Sequence, residues 1–414
     1  MNKTNLNKII SKETNVHEVF KIGILGSGLM GHGIAFVSAL NGNNVIMLDS
    51  SQKKADEGLG SIKNILKNGV KNGFYDFQIS KKVLSKILPT SNYSHLKECD
   101  IIIEAVFEDY EIKKQVIMEA EKVMKPHAIF ASNTSTLPIT KLAKNSKRPD
   151  KFLGLHFFSP VHRMKLVEII KGKSTSPQTL SQAYNYVENI GKTPIIVNDG
   201  IGFYTTRVFE RYTCEGMALL YEGVDPERIE NLSKKAGYPT GPLAILDEIS
   251  ISLAAKIRST LRKKSKTVNA SWTQVMRIMI EDLNRTGRLS GGGFYEYNKG
   301  KKKFLWPELK RYFPISNNKL SDNDITDRLY FSQVIETIRC IEENIIESIT
   351  DANIGSILGW GFPKETGGIL EFANKYGLQD FLDRSKYLKK KYGRRFSPPE
   401  LLQKMIKNKK LFKD

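Results

Sequence analysis

A short apolar segment, KIGIL, runs directly into a cluster of glycines, and this junction constrains the fold more than any other feature of the chain. Gly26, Gly28 and Gly31 form a GxGxxG pattern. The residues that follow have helical character, and NNVIMLD then gives a second strand-like segment that ends at Asp49. A strand, a glycine turn, a helix and a second strand with an acidic end are typical of a dinucleotide-binding βαβ unit.

Each part of this unit has its own role in binding a cofactor. The first glycine allows a tight turn, the second lets the backbone approach a pyrophosphate, and the third lets the helix lie close to the sheet. Asp49 would accept hydrogen bonds from a ribose 2′-hydroxyl and repel a 2′-phosphate, which favours NAD over NADP. FAD and a purely structural glycine turn remain alternatives. The predicted cofactor-binding residues of the turn are Gly26, Gly28, Leu29, Met30 and Gly31.

Strand and helix signals continue to alternate up to about residue 150. Helical periodicity covers about 52–72, and further strand and helix segments follow through DIIIEAVF, EIKKQVIMEAEKVMK and AIFASNTS. This order predicts an α/β Rossmann-type domain with a parallel, doubly wound sheet. KFLGLHFFSP and MKLVEII then predict two strands joined by a short loop, followed by a helix from Pro177 to Gly191 and the strand TPIIVND.

Beyond Asp199 the strand signals nearly vanish and two helical blocks follow. One block runs from Arg207 to AGYPTGPLAILD and the other from Arg328 to WGFPKETGGILE. Each places an arginine about thirty residues before a Gly-aromatic-Pro, which favours a duplicated unit that packs against its copy over a chance similarity. The predicted domains are a polar arm at 1–19, a nucleotide-binding domain at 20–199, all-α domains at 200–300 and 326–414, and a linker at 301–325.

Composition excludes several classes of protein. A hydrophobic content of 40% excludes wholesale disorder. Three widely spaced cysteines offer no CxxC pair and indicate a reducing compartment. The sequence has no apolar leader and no apolar run of membrane-spanning length, so it predicts a cytoplasmic protein without a membrane span.

The chain is strongly basic, with 64 Lys and Arg against 44 Asp and Glu and a net charge of +20. Such a surplus suits a nucleic acid, an anionic membrane surface or phosphorylated small molecules. The densest runs, Lys299–Lys303 and Lys404–Lys413, have no interleaved stacking aromatics. We therefore expect no nucleic-acid partner, and we interpret most of the excess charge as solvated surface.

One histidine is placed for proton transfer. All six histidines precede residue 163, and none shows the HxxxH or HExxH spacing of a metal site. His156 stands at the end of an apolar strand, where open α/β sheets place their ligand crevice, and a hairpin would bring Glu168 opposite it. A neutral imidazole can take a hydroxyl proton while a carboxylate fixes its tautomer. His162 is a competing base, and a core histidine with an exposed glutamate remains an alternative.

Two polar clusters are placed to assist this pair. SNTS, at 132–135, follows a predicted strand at its carboxyl end, although it would also serve as a helix N-cap before LPIT. DGIGFYTTR, at 199–207, opens the helical region with two hydroxyl groups, Thr205 and Thr206.

Six segments in fixed order resemble the 3-hydroxyacyl-CoA dehydrogenases: GSGLMGHGIA, IIEAVFED, ASNTSTLPIT, GLHFFSPVHRMKLVEII, GKTPIIVNDGIGF and SGGGFYEY. The likeness covers nearly everything after residue 20. The doubled helical block resembles the dehydrogenase half of the bacterial fatty-acid oxidation complex alpha subunit. The resemblance implies NAD-dependent oxidation of a (3S)-3-hydroxyacyl-CoA to the 3-oxoacyl-CoA in fatty-acid β-oxidation.

The resemblance also implies roles for individual residues. His156 is the general base, Glu168 orients it, and Ser135 contacts the substrate or the nicotinamide region. The positions that match cofactor contacts are Asp49, Glu108 and Lys113. The implied partners are an acyl-CoA substrate and either a second copy of the chain or separate hydratase and thiolase subunits.

Three departures from the family pattern matter. Ser159, counted with the cofactor-binding residues, replaces the Asn of HFFNP, and Thr206, counted with the catalytic residues, replaces the Asn of GFxxNR. Both keep a hydroxyl but lose an amide donor, so we expect weaker or rearranged polarisation of the substrate carbonyl. The hydratase half of the alpha subunit has no counterpart, so we expect no enoyl-CoA hydratase activity.

Two other functions stay open. One is an NAD-dependent dehydrogenase of a CoA-free 3-hydroxy acid, although such enzymes usually depend on a lysine base. The other is a non-catalytic NAD-binding relative, against which the intact His156 and Glu168 argue.

Overall fold

The computed structural model describes residues 20–262, 270–297, 303–317 and 320–414. The predicted arm at 1–19 and all of the basic run Lys299–Lys303 except its last residue lie outside these ranges. The chain divides into two units, one ending at Phe203 and the other beginning at Tyr204. The finer division of the helical region into two domains and a linker stays a prediction.

An eight-stranded sheet forms the centre of the first unit, in the order β3-β2-β1-β4-β5-β6-β7-β8. Neighbouring strands are parallel except β6 and β7, which pair antiparallel as the predicted hairpin. The expected Rossmann-type sheet is thereby confirmed. The strands are β1 (Lys21–Leu25), β2 (Asn44–Leu48), β3 (Ile87–Thr90), β4 (Ile101–Glu104), β5 (Ile129–Ser132), β6 (Phe152–Phe157), β7 (Leu166–Lys171) and β8 (Thr193–Asn198).

Helices cover this sheet, and its central strands are buried on both faces. The consecutive residues Ile24 and Leu25 of β1 and Ile102 and Ile103 of β4 point to opposite faces and are all 0% exposed, which explains their continuous apolar sequence. Strand β3 escaped the sequence analysis because it is short and contains Pro89, a residue that edge strands tolerate. The helices are α1 (Leu29–Leu40), α2 (Gln52–Lys71), α3 (Phe77–Ser85), α4 (Tyr110–Glu121), α5 (Ile139–Ala143) and α6 (Pro177–Asn189).

In its described residues, the second unit consists of helices, connecting segments and one antiparallel pair of two-residue strands, β9 (Tyr295–Glu296) and β10 (Phe304–Leu305). This pair was not expected, since two residues are too few for a strand signal. No helix in the described part of the chain combines the length and apolar character that a bilayer crossing needs. The helices are α7 (Thr205–Tyr221), α8 (Pro226–Lys235), α9 (Pro242–Ile249), α10 (Ile251–Arg262), α11 (Ala270–Arg277), α12 (Leu309–Tyr312), α13 (Asp322–Glu342), α14 (Ile349–Trp360), α15 (Ile369–Tyr376), α16 (Leu378–Tyr392) and α17 (Glu400–Lys407).

Helices α7 and α13 carry a reciprocal set of ion pairs that supports the predicted duplication. Arg207 donates from Nε to Glu336 at 2.5 Å and from its other two nitrogens to Glu343 at 2.5 and 2.8 Å. Arg328 donates in the same way to Glu215 at 2.6 Å and to Glu222 at 2.5 and 2.9 Å. One offset of 121 positions (328 − 207, 336 − 215, 343 − 222) relates the counterparts. These counterparts are Arg207 and Arg328, Glu215 and Glu336, and Glu222 and Glu343.

Candidate active site

The turn after β1 has the close backbone approaches that the glycine pattern predicts. Gly26 has φ +93°, and a Cβ there would lie 2.8 Å from the carbonyl oxygen of Ala105. A Cβ on Gly31 would lie only 1.7 Å from the carbonyl oxygen of Gly26, so α1 can begin at this place only with glycine. Open space surrounds the Cβ position of Gly28, which caps α1 without a side-chain hydrogen bond. Uncapped N–H groups beside open space fit a pyrophosphate.

Asp49 lies next to this turn, and its carboxylate is ionised. Its Oδ2 accepts hydrogen bonds from the N–H and the hydroxyl of Ser27 at 2.7 and 2.8 Å, and its Oδ1 accepts one from the N–H of Ser50 at 2.7 Å. Partial burial raises the pKa of Asp49, but these hydrogen bonds outweigh burial and the net shift is downward. The turn and the carboxylate together fit NAD. Of the other predicted residues of the turn, Leu29 is exposed and Met30 is half-buried.

The β6–β7 hairpin places His156 directly opposite Glu168. The imidazole Nδ1 and the carboxylate Oε2 are 2.9 Å apart, and both side chains are buried, with 7% and 0% of their surface exposed. A carboxylate only accepts, so Nδ1 carries the proton and the lone pair is on Nε2. Phe158 and Phe203 lie against the imidazole, with ring centroids at 4.5 and 6.2 Å. The alternative interpretation, in which Glu168 is exposed, is therefore wrong.

The competing base His162 has a different environment. Burial lowers its pKa, and the charges of Arg163, Lys192 and His32 lower it further. No carboxylate pairs with it in the described ranges, so nothing comparable to Glu168 fixes its tautomer. His156 is the better placed of the two for proton transfer.

The SNTS segment directly follows β5, and most of its polar groups serve the protein itself. The hydroxyl of Ser132 donates to Glu104 at 2.7 Å, the side-chain oxygen of Asn133 accepts the N–H of Phe157 at 2.8 Å, and Thr134 donates to a further carboxylate. Ser135 is half-buried, and its hydroxyl has no hydrogen-bond partner within the described residues. Its hydroxyl is the one that this segment leaves for a ligand.

The predicted N-cap function is confirmed for the turn before the helix, because Thr134 Oγ1 accepts the N–H of Leu137, the first residue of LPIT, at 2.9 Å, but it does not extend to α5 itself. Helix α5 has no side-chain cap from SNTS. Instead, the carboxylate of Asp199 accepts the first N–H groups of the helix, from Ile139 at 2.9 Å and from Thr140 at 2.7 Å. Sequence reasoning missed this role because Asp199 is about sixty residues away along the chain.

Glu108 contacts the SNTS segment, and Nζ of Lys113 lies 3.4 Å from the carboxylate of Glu108. Glu108 Oε1 accepts hydrogen bonds at 2.7–3.0 Å from the hydroxyls of Thr134 and Thr136 and from the N–H groups of Ser135 and Thr136. Burial raises the pKa of Glu108, but Lys113 and these donors outweigh burial and lower it overall. The side chain of Lys113 has no exposed surface and lies 2.6 Å from Glu104. We therefore expect Lys113 to act through the two glutamates.

Two further predicted residues are Ser159 and Thr206. Ser159 is exposed on the loop between β6 and β7. Lys192 braces that loop by donating to the carbonyl oxygens of Val161 and Met164 at 2.5 and 2.6 Å, a role that has no local sequence signal. Thr206 is half-buried in the first turn of α7, in the second unit.

No group of three metal-ligating side chains occurs among residues that the structure describes.

The chain matches two family models in succession. Residues 21–200 match the 3-hydroxyacyl-CoA dehydrogenase NAD binding domain, and residues 202–297 match the 3-hydroxyacyl-CoA dehydrogenase C-terminal domain.

Among curated relatives, the fatty acid oxidation complex subunit alpha of Shewanella amazonensis is 36% identical over 399 residues, which cover 95% of this chain and 56% of the relative. The same subunit of Vibrio vulnificus is 35% identical over 405 residues, with coverage of 95% and 56%. The chain thus spans about half the length of these relatives.

Solved structures agree with this assignment. An (S)-3-hydroxybutyryl-CoA dehydrogenase from Ralstonia eutropha is 33% identical, with a TM-score of 0.64, over 68% of this chain and 100% of that one. A 3-hydroxybutyryl-CoA dehydrogenase from Escherichia coli K12 has a TM-score of 0.79 over 94% of this chain and 98% of that one, and its 22% identity shows a shared fold. This chain belongs to the 3-hydroxyacyl-CoA dehydrogenase family, and its first unit is the family's NAD-binding domain.

Proposed function

We propose that this protein oxidises a (3S)-3-hydroxyacyl-CoA to the 3-oxoacyl-CoA with NAD. The observation that carries the proposal is the buried His156–Glu168 pair at 2.9 Å. Strand β6 is connected to β1 through parallel neighbours, so His156 and the glycine turn after β1 lie at the same edge of the sheet. Ligands of open α/β sheets bind at this carboxyl edge.

The imidazole performs the proton transfer in this proposal. Nε2 of His156 accepts the proton of the 3-hydroxyl group, while Nδ1 keeps its own proton in the bond to Glu168. The carboxylate then faces an imidazolium and stabilises the charge that develops. NAD bound at the glycine turn supplies the acceptor for the hydride that leaves the same carbon. In the reverse direction the imidazolium returns its proton to the carbonyl oxygen.

The hydroxyl of Ser135 is the group that we assign to the substrate or the nicotinamide region. Glu108 accepts the N–H of Ser135 at 3.0 Å and thereby fixes the backbone that carries this hydroxyl. We assign Ser159 to the cofactor and Thr206 to the substrate carbonyl. Each hydroxyl can donate one hydrogen bond, so each retains a donor at a position where many family members have an amide.

The wider setting belongs to the same proposal. The named relatives are alpha subunits of fatty acid oxidation complexes, which supports a place in fatty-acid β-oxidation. We propose that the chain works in the cytoplasm as a homodimer or with separate hydratase and thiolase subunits. The matched domains are those of a dehydrogenase, so we expect no enoyl-CoA hydratase activity from the chain itself.

Consumption of NADH tests the substrate class. We expect consumption with acetoacetyl-CoA and little with free acetoacetate at equal concentration. Equal rates with the two compounds would favour the dehydrogenase of a CoA-free 3-hydroxy acid. Absence of turnover with both compounds, despite tight NADH binding, would favour a non-catalytic relative.

Two histidine variants test the base. His156→Ala should lower kcat about 10²–10⁴-fold, since that is the usual contribution of a general base. The matched control His162→Ala removes an imidazole from the same loop region and should leave kcat within about threefold, because an uninvolved histidine contributes no proton transfer. The assignment fails if the two variants lose activity equally.

A further inference from the structure

A cavity of about 600 Å³ opens in the second unit, between α8 and the β9–β10 strand pair. Part of its lining is apolar and includes Phe304, Leu305 and Trp306. Another part is acidic, with the carboxylates of Glu227 and Glu230 from α8. The volume is in the range of small-molecule pockets, and such a mixed lining fits a ligand with an apolar body and a polar head.

Glu230 is the buried acid of this cavity, with 2% of its surface exposed. Its Oε1 accepts the N–H of Leu243 at 2.9 Å and its Oε2 accepts the hydroxyl of Tyr295 at 2.8 Å, so both donors are neutral. Burial raises its pKa, and no ion pair reaches it within the described residues. Burial also acts on Glu215 and Glu336 of the same unit, but arginines outweigh it there and lower the pKa. Glu230 therefore lacks the counter-charge that other buried glutamates have.

The second helical block shows that the fold does not require an acid at this position. Asn353 of α14 accepts the N–H of Leu370 at 2.9 Å, just as Glu230 accepts the N–H of Leu243. Both N–H groups belong to the second residue of a helix, and in both blocks a glycine two residues earlier gives the accepting side chain room. A neutral amide thus satisfies the same helix start in the copy. The negative charge of Glu230 exceeds what this structural role needs.

The remaining charges of the cavity do not neutralise Glu230. Lys310 is paired with Asp225 at 3.0 Å, so its charge is already offset. Lys234 and Glu227, one turn to either side of Glu230 on α8, are both exposed and of opposite sign. Counted with Asp225, three carboxylates face two ammonium groups. The local excess of charge is negative although the whole chain is basic.

The aromatic rings of the cavity already attract cations of the protein. The guanidinium of Arg285 lies 4.2 Å from the ring centroid of Trp306, and the ammonium of Lys303 lies 5.5 Å from that of Tyr295. Cations are attracted to aromatic faces within about 6 Å of the centroid. Phe304 is 44% exposed and holds no such cation among the residues that the structure describes. Its ring is the one that can receive a cation from solution.

We propose that this cavity binds a small organic ammonium ion with an apolar body, its charge facing Glu230 and Glu227 and its body against Phe304. Carboxylates combined with aromatic rings suit amine and quaternary ammonium ligands. Such a cation supplies the counter-charge that the buried carboxylate lacks, which a neutral molecule or an anion cannot do. None of these residues belongs to the proposed dehydrogenase site, so the two proposals stand or fall separately.

Isothermal titration calorimetry of the full chain with benzyltrimethylammonium tests the proposal. We expect saturable binding of this cation, and binding of benzenesulfonate, an aromatic anion of similar size, that is at least about tenfold weaker. Glu230→Gln should weaken binding of the cation at least about tenfold, because the charge is lost. An amide can still accept the N–H of Leu243 and donate to the hydroxyl oxygen of Tyr295. Phe304→Leu should weaken binding about two- to fivefold, the share of a cation–π contact at an exposed site.

Matched controls separate this site from charge and aromatic exposure in general. Glu365→Gln removes an exposed carboxylate of the same unit, and Tyr387→Leu removes a ring that is as exposed as that of Phe304. Both controls should bind the cation like the wild type. The proposal is overturned by absence of saturable binding, by equal binding of cation and anion, or by a Glu230→Gln variant that binds as tightly as Glu365→Gln.

The melting temperature of Glu230→Gln should stay close to that of the wild type, because the copy has an amide at the same helix start. If the variant does not fold, Glu227→Gln replaces it in the titration, since Glu227 is exposed and caps nothing in the described residues. Its loss of one carboxylate near the bound charge should weaken binding about two- to fivefold. Unchanged binding by Glu227→Gln would then overturn the proposal.

Discussion

The buried His156 of the first unit keeps hydrogen-bonding capacity for a ligand, whereas the buried Arg328 of the second unit is fully paired with carboxylates. Nδ1 of His156 is hydrogen-bonded to Glu168, and the lone pair of Nε2 stays available for a substrate. Arg328, fully buried in the second unit, donates to two carboxylates through three nitrogens. The difference suggests that burial of charge alone does not identify a catalytic group, since only an incompletely used group can act on a substrate.

Glu168→Gln is expected to have the largest effect of the variants that sharpen this comparison. An amide offers a donor where the carboxylate had an acceptor, so Nδ1 loses its fixed proton and Nε2 ceases to be the base. We expect kcat to fall about 10²–10⁴-fold, as for other buried acids that orient a catalytic histidine. The free energy of unfolding should change by only about 1 kcal/mol, the usual net value of one hydrogen bond.

Steady-state kinetics and denaturant unfolding measure these two quantities. Glu188→Gln, an exposed change in the same unit, is the control and should alter neither. If the loss in the free energy of unfolding were as large as the loss of transition-state stabilisation, Glu168 would have a structural role like that of the carboxylates paired with Arg328.

Arg328→Met should show the opposite behaviour. Removing Arg328 leaves the buried Glu215 with Arg395 as its remaining partner, so we expect a loss of up to about 3–5 kcal/mol in the free energy of unfolding. Folded protein should keep its kcat. Arg288→Met, which removes an exposed partner of Glu248, should cost under about 1 kcal/mol.

Urea unfolding followed by circular dichroism would measure both arginine variants. If Arg328→Met were no more costly than Arg288→Met, the buried cluster would contribute nothing beyond a surface pair.

Acid should weaken the second unit through Glu336. Burial raises the pKa of this carboxyl, but Arg211, Arg207 and Arg339 outweigh burial and hold it at about 2, below the ordinary 4.5. A lowered carboxyl pKa stabilises the folded state above about pH 4.5, and this contribution disappears as the pH falls towards 2. Glu336→Gln should therefore be less stable at pH 7 and lose less stability between about pH 4.5 and 3.

Thermal melting of wild type and variant across that pH range tests the prediction. A variant whose melting temperature falls with pH as steeply as that of the wild type would refute the assignment to Glu336.

Asp49→Ala should have the smallest effect, which should appear mainly in cofactor selectivity. Loss of the ionised carboxylate removes both a ribose hydrogen bond and the repulsion of a 2′-phosphate, so the preference for NAD over NADP should fall about tenfold or more. Asp56→Ala, an exposed acid in the helix that follows, is the control. The ratio of kcat/KM for the two cofactors is the measurement, and an unchanged ratio would exclude Asp49 from the ribose site.

Features set by short-range spacing were predictable from the sequence. The glycine turn, Asp49 and the hairpin that joins His156 to Glu168 each lie within about 25 residues. Asp199 and Lys192 were not recognised because their partners lie some thirty to sixty residues away and nothing local marks them. The reciprocal arginines were visible only as a repeat, since their pairing depends on how two distant helices pack.

These distant pairings also bear on synthesis of the chain. Glu215 and Glu222 leave the ribosome more than a hundred residues before Arg328 and Arg395, the arginines that pair with them. Until then, the first helical block has the buried Glu215 and the partly exposed Glu222 without their counter-charges, which opposes its early collapse. The first unit can fold as soon as it emerges, as N-terminal domains generally do. The second unit is expected to wait for release of nearly the whole chain.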